Sequence, residues 1–191
     1  MVHRINSLFP LFIATAMTLG AGTAARGDTL PATWEAKQAK FHFAGFTSRY
    51  TCEGLRSKVK LLLRTLGARD DVKIQGACGG KSFNEPQVSH SVVIGFAIPV
   101  PAEGGGSPGE TFPAEWREVH LHANSPSNLA WGDCELVEQF REQVLPLFNP
   151  RDVKDESVCV PHQLNAGDPD LRMTILAPAG TVPPASPGPG N

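Results

Sequence analysis

The chain has 191 residues, a formal charge of −2 and 41% hydrophobic residues, enough for one ordinary folded domain. No surplus of Lys and Arg is present to neutralise a phosphate backbone, so nucleic acid is not an expected partner. No apolar run reaches the roughly 20 residues a membrane-spanning helix needs, so the mature chain carries no transmembrane segment on this reading.

Residues 1–25 read as a secretory signal. His3 and Arg4 precede an apolar run from Leu8 to Leu19, and Ala21 to Ala25 offers small residues for cleavage. A periplasmic or secreted protein follows from that reading, and in an oxidising compartment its four cysteines imply two disulfides. No pair has the close spacing of a structural zinc site.

Asp28 to Ala36 is a polar lead-in carrying Trp34. From Lys37 to Tyr50, Ala39, Phe41 and Phe43 alternate with Lys40, His42 and Ala44, which predicts the first strand. Cys52 opens an amphipathic helix in which Leu55, Val59, Leu62, Leu63 and Leu66 share one face. Thr51 is placed to cap it, and Gly67 to end it in a left-handed conformation. A strand from Asp71 to Cys78 returns. The helix would be about 22 Å long at ~1.5 Å per residue, and the strand about 26 Å at ~3.3 Å per residue. The return brings Cys78 level with Cys52.

A loop to Gln87, a mostly apolar strand Val88 to Val100, and a Pro/Gly-rich linker at 101–113 complete the first half. Trp116 to Ala123 is the next strand, followed by a loop with Trp131. Cys134 then opens a second helix with Val137, Phe140, Val144, Leu147 and Phe148 on one face, Asp133 as its expected cap and Pro146 as a kink or stop. A strand returns to Cys159. After a loop from Gln163 to Asp170, the last strand runs from Leu171 to Ala177, and 179–191 reads as a disordered tail.

Placing Leu55 on Val137 brings Leu62, Leu63 and Leu66 onto Val144, Leu145 and Phe148, and Arg69-Asp70 onto Arg151-Asp152. The expected fold is therefore α+β: one domain over 28–178, built from two βαββ-like repeats (about 37–100 and 114–178). A mainly antiparallel sheet carries two helices on one face. Sequence alone allows three disulfide connectivities; the out-and-back geometry favours Cys52 with Cys78 and Cys134 with Cys159.

The chemical motifs are thin. Gly105-Gly106-Ser107-Pro108-Gly109 matches the G-x-S-x-G nucleophile pattern, but Pro108 lacks the N–H that an oxyanion hole needs. Gly104, Gly106 and Gly109 fit a dinucleotide spacing without the strand and helix that motif requires. His120 and His122 share a strand face and are the weak metal candidates, with His42 or His90 as a possible third ligand for zinc or copper. Asp70-Asp71 and Asp168 with Asp170 fall in turns or loops, where acidic residues are ordinary, and Asp152, Asp155 and Glu156 sit by the second returning strand and read as solvated. Arg56, Lys58, Lys60 and Arg64 make a basic helix face that contrasts with Glu135, Glu138 and Glu142 on the second helix; both read as solvated faces, with mutual pairing or a contact patch for an oppositely charged partner as the alternative. The three tryptophans read as core or edge residues.

No catalytic set and no cofactor motif assembles. The expectation is an exported, non-enzymatic binding or envelope-associated module for an unknown protein or small molecule. The alternatives are a metal-binding periplasmic protein using His120 and His122, or an enzyme with an unrecognised site, which a cleft gathering loop polar residues such as Asp168 or His162 would reveal.

Overall fold

A computed structural model describes residues 28–76, 86–102, 111–159 and 167–181. These form β1 (Leu30–Ala44), α1 (Cys52–Thr65), β2 (Lys73–Gln75), β3 (Ser89–Pro101), β4 (Phe112–His122), α2 (Cys134–Gln143), β5 (Arg151–Asp155) and β6 (Asp170–Pro178). Short 3₁₀ turns occupy Trp131–Asp133 and Leu145–Phe148. The strands make one six-stranded sheet in the order β2-β3-β1-β4-β6-β5, with every neighbouring pair antiparallel. The class is α+β. Each half places its first strand at the centre, its last strand next and its middle strand at the edge.

Helix α1 forms where the spacing predicts. Thr51 accepts the Gly54 N–H at 3.0 Å, and Leu55, Val59, Leu62, Leu63 and Leu66 are buried. Its end is a Schellman turn: Gly67 N–H donates to the Arg64 carbonyl and Ala68 N–H to that of Leu63, with Gly67 at φ +83°. Helix α2 stops at Gln143, ahead of Pro146, whose missing N–H cannot continue the ladder. The chain tightens into the 3₁₀ turn and is released by Asn149 at φ +48°.

One hydrophobic cluster joins both halves. It holds Phe41, Phe43, Val92, Ile94 and Ile98 of the first, Val119, Leu121, Leu171, Met173 and Ile175 of the second, and the apolar faces of both helices. Phe140 of α2 meets Phe41 of β1 edge-on at 6.2 Å, and Phe148 stacks on Phe96 of β3 at 5.4 Å. The helical segment of the second half therefore packs on strands of the first. A small cluster lies on the other face, where Ala32, Ala114 and Leu176 are buried beneath Leu30, Phe112 and Trp116.

Several expectations need correction. The lead-in around Trp34 is not a loop: β1 begins at Leu30, and β4 begins at Phe112, inside the expected linker. Leu30–Ala32 pair with Phe112–Ala114, and this three-residue ladder is the hydrogen-bonded joint between the halves. Pro31 sits opposite Pro113. The Pro31 carbonyl accepts from Ala102 and that of Pro113 from Ala179, so both point away from the joint and neither proline has to donate across it. β2 is only three residues long. β5 is exposed along its length, and its irregular pairing, with Asp152 at φ +51°, blunts a sheet edge.

Cys134 and Cys159 form a disulfide with Cα atoms 5.5 Å apart. This is the one disulfide seen among the described residues. Cys78 lies outside them, so the expected pairing of Cys52, buried at the start of α1, is not seen. The signal segment, the Gly105–Gly109 motif, His162 and the tail beyond Thr181 also lie outside. Among the described residues no helix is long and apolar enough to cross a membrane.

Candidate functional site

The histidine pair does come together. His120 and His122 lie on the sheet face away from the helices, since Val119 and Leu121 between and beside them point into the core. Their ring centroids are 4.3 Å apart. The Nε2–H of His120, however, donates to Asp170 Oδ1 at 2.7 Å, which occupies that ring nitrogen. Neither expected third ligand joins them. His42 Nδ1 pairs with the Ser91 hydroxyl at 2.8 Å, and His90 is buried and donates from Nε2 to the Tyr50 carbonyl at 2.6 Å. Among the described residues no group of three His, Cys, Asp or Glu side chains is arranged to hold a metal ion.

The densest polar chemistry sits where the loop after β1 meets the start of α2. Glu135, expected on a solvated helix face, is buried. Its carboxylate accepts from three successive backbone N–H groups, those of Phe46, Thr47 and Ser48, at 3.0–3.2 Å. Asp133 was the expected cap of α2, yet its side chain caps nothing there. It is buried and accepts from the Tyr50 hydroxyl at 2.5 Å, Lys58 Nζ at 2.6 Å and the Ala130 N–H at 2.6 Å. Burial, with the Asp133 charge beside it, pushes the Tyr50 hydroxyl well above the usual phenol range. Ser48 donates to the Gly132 carbonyl and Lys58 also to that of Asn128. The carboxylates of Glu135 and Asp133 are satisfied and their interlocked bonds weld the two halves, while the Thr47 hydroxyl beside them is buried without a partner among the described residues.

A second weld runs along β1. Beyond Ala32 its inner edge has no strand partner in β4. Gln143 of α2 accepts from the His42 N–H and donates to the His42 carbonyl, at 2.9 and 2.8 Å. Gln139 does the same for Ala44, at 2.8 Å both ways. Two side-chain amides one helical turn apart thus take the place of a neighbouring strand, satisfying backbone groups that would otherwise lie open.

A cleft of about 600 Å³ lies at the C-terminal end of α1, where the halves meet again. Trp34 of β1, Arg64, Gly67, Arg69, Arg117 of β4 and Pro178 line it. Arg117 follows the core parity of Val119 and so points to the helix side of the sheet. Its Nη2 donates to the Thr65 carbonyl at 3.2 Å and its Nη1 to the Thr181 carbonyl at 2.6 Å. Its Nε is buried without an acceptor. Among the described residues no carboxylate reaches it within ion-pair distance, and burial draws its guanidinium down from the usual range without making it neutral at ordinary pH. Arg69 stands 5.7 Å over the Trp34 ring, whose other contact is the stacked Phe112 at 4.6 Å. Arg64 and Arg69 are held by exposed Asp70 and Asp71, at 3.0 and 2.7 Å.

The remaining expected residues are scattered. Asp155 is ion-paired with Arg141. Asp168 bridges to Val158 across the loop before β6 and has its Oδ1 buried without a partner among the described residues, while His162, named with it, lies outside them. Trp131 is 60% exposed on its 3₁₀ turn, contrary to a core or edge placement. Of the basic helix face, Lys58 is consumed by Asp133, while Lys60 and Arg64 line a second groove of about 620 Å³ along α1. Arg117 is the candidate side chain that the strand pattern did not single out. The signal was present: it shares strand parity with Val119 and Leu121, which marks it as an inward-facing cation. The chain matches no protein-family model, and comparisons with curated proteins and with solved structures find no match.

Proposed function

We propose that the protein is an exported, non-enzymatic binding module. The observation that carries this reading is the make-up of the cleft at the end of α1. Its lining brings together three guanidiniums, an aromatic plate and backbone of a tight turn, groups that hold a ligand. Its one carboxylate, Asp70, is tied to Arg64. Export is supported by the signal-like pattern of 1–25 and by the Cys134–Cys159 bond, which suits an oxidising compartment. In the same reading Cys52 pairs with Cys78, and the two halves, with their matching strand order, descend from one duplicated βαββ unit.

The test is expression of the tagged full chain, followed by fractionation, non-reducing peptide mapping and capture from cell-envelope extracts. The expected result is oxidised protein outside the cytosol, a Cys52–Cys78 peptide, and a reproducibly retained partner or ligand. Retention in the cytosol with reduced thiols would remove the export reading, and repeated capture of nothing would count against binding. The metal alternative rests on the 4.3 Å approach of His120 and His122. Equilibrium dialysis against zinc and copper addresses it, and binding unchanged in a His120→Ala/His122→Ala variant would dismiss it.

A further inference from the structure

We infer that the cleft at the end of α1 binds the oxyanion of a small amphipathic ligand, a carboxylate or phosphate on an apolar body, with Arg117 as the anchor. This rests on the reading of the protein as a binding module and adds the chemistry of the ligand.

Arg117 is a half-buried cation whose partners are neutral. The Thr65 carbonyl belongs to the last turn of α1, where carbonyl oxygens carry partial negative charge and favour a cation. That interaction holds the guanidinium in place; Glu115, two residues back on the same strand, offsets its charge in part from beyond ion-pair distance, and no carboxylate makes direct contact among the described residues. A cation removed from water without a carboxylate carries a desolvation cost, which an incoming oxyanion would offset. The Nε–H, buried beside the cleft with no acceptor among the described residues, is a donor still to be satisfied.

Arg64 and Arg69 add two further cations to the lining. Arg64 is paired with the exposed Asp70, a contact that contributes little and lets it turn toward a ligand, whereas Arg69 is held in a two-point pair by Asp71 that fixes its guanidinium at the wall of the cleft. Trp34, Pro178 and the backbone of Gly67-Ala68 supply flat apolar surface for the body of the ligand. The volume falls within the ~300–1,000 Å³ common for small-molecule sites. Three cations exclude a metal ion as occupant, and the mildly acidic chain as a whole argues against a long polyanion.

The experiment titrates the oxidised full chain with benzoate, phenyl phosphate and inorganic phosphate, with benzyl alcohol as the uncharged comparison. Tryptophan fluorescence and the arginine Nε–H resonances in NMR are followed. Saturable binding of benzoate or phenyl phosphate is expected, with benzyl alcohol and the Arg117→Lys variant each weaker by at least about tenfold, because a lysine lacks the planar fork. Benzoate binding without inorganic phosphate binding assigns a carboxylate ligand; tight inorganic phosphate binding assigns a phosphate one. Arg69→Ala, which leaves the contacts of Arg117 to Thr65 and Thr181 in place, is expected to weaken binding several-fold and covers the case in which Arg117→Lys fails to fold. Equal binding of benzyl alcohol, unchanged binding by both variants, or no saturable response to any of the three anions would overturn the assignment. In that event a partner captured equally by wild type and Arg69→Ala leaves the broader binding reading standing. Cytosolic, reduced protein would remove the export reading without touching the titration.

Discussion

The Tyr50 hydroxyl donates to Asp133 Oδ1 at 2.5 Å, joining residues 83 positions apart in the two halves of the molecule. Tyr50 is the only tyrosine in the chain, so its state can be followed directly. Its folded-state pKa is raised by burial first and by Asp133 second. The linked stability is fully present below the unfolded value of about 10 and is lost as pH rises above it, by at most about 1.4 kcal/mol per pH unit. The tyrosinate absorption band should stay absent until the protein unfolds in alkali. Tyr50→Phe should cost about 1.5–3 kcal/mol at neutral pH and flatten that alkaline slope. Asp133→Ala, which leaves Lys58 and two other donors without their acceptor, should cost about 3–5 kcal/mol in denaturant unfolding. Ordinary phenol titration in the folded protein would contradict the contact.

Gln139 and Gln143 make a checkable claim about β1. Replacing either with Leu keeps the side-chain bulk but leaves one N–H and one carbonyl of the strand without partners. Because these amides are partly exposed, water can substitute, and a loss of only about 0.5–1.5 kcal/mol each is expected. The sharper readout is hydrogen exchange. The amide of His42 should exchange faster in Gln143→Leu and that of Ala44 faster in Gln139→Leu, with the β3-facing amides of β1 protected as before.

Gly67 is required twice over. Its φ of +83° is costly for any residue with a Cβ, and a Cβ there would stand 2.9 Å from that of Ala177 on β6. Gly67→Ala should destabilise by at least about 1–2 kcal/mol, the left-handed cost alone. Thermal unfolding measures this, and a neutral result would mean that the Schellman turn relaxes without strain.

The hydrogen bond from His120, helped by Arg172 and opposed by slight burial, holds the Asp170 carboxyl below the usual carboxylate range. Its stabilising contribution is present above the unfolded value of about 3.9 and is lost as pH falls through the lower folded one. His120→Ala should return Asp170 toward that ordinary value in a carboxyl NMR titration. An unchanged titration would show that the pairing is not made in solution.

Much of the framework was legible in local pattern. The apolar faces of α1 and α2 and the inward alternation of Ala39, Phe41 and Phe43 follow from periods of 3.6 and 2 that each segment displays by itself, and the left-handed Gly67 and the stop before Pro146 from single residues. The joint at Leu30–Ala32 was hidden because 28–36 read as a polar lead-in and 101–113 as a Pro/Gly-rich linker, and only the paired strands show that Pro31 and Pro113 turn their bonding groups away from it. Glu135 was misread for a related reason. Helical position alone marked it as solvated, while the three N–H groups that bury it come from a loop nearly ninety residues earlier.

The amino-acid order, then, determined which segments are helix and strand, which side of each is apolar, and which cysteines stand at their ends, because these depend on neighbours a few residues apart. Only the tertiary structure decided where the polar groups find partners: Asp133 with Tyr50 and Lys58, the α2 glutamines with β1, and Arg117 with the end of α1. Hydrogen bonds and unpaired charge depend on distance in space, and the folding of one half against the other is what sets those distances.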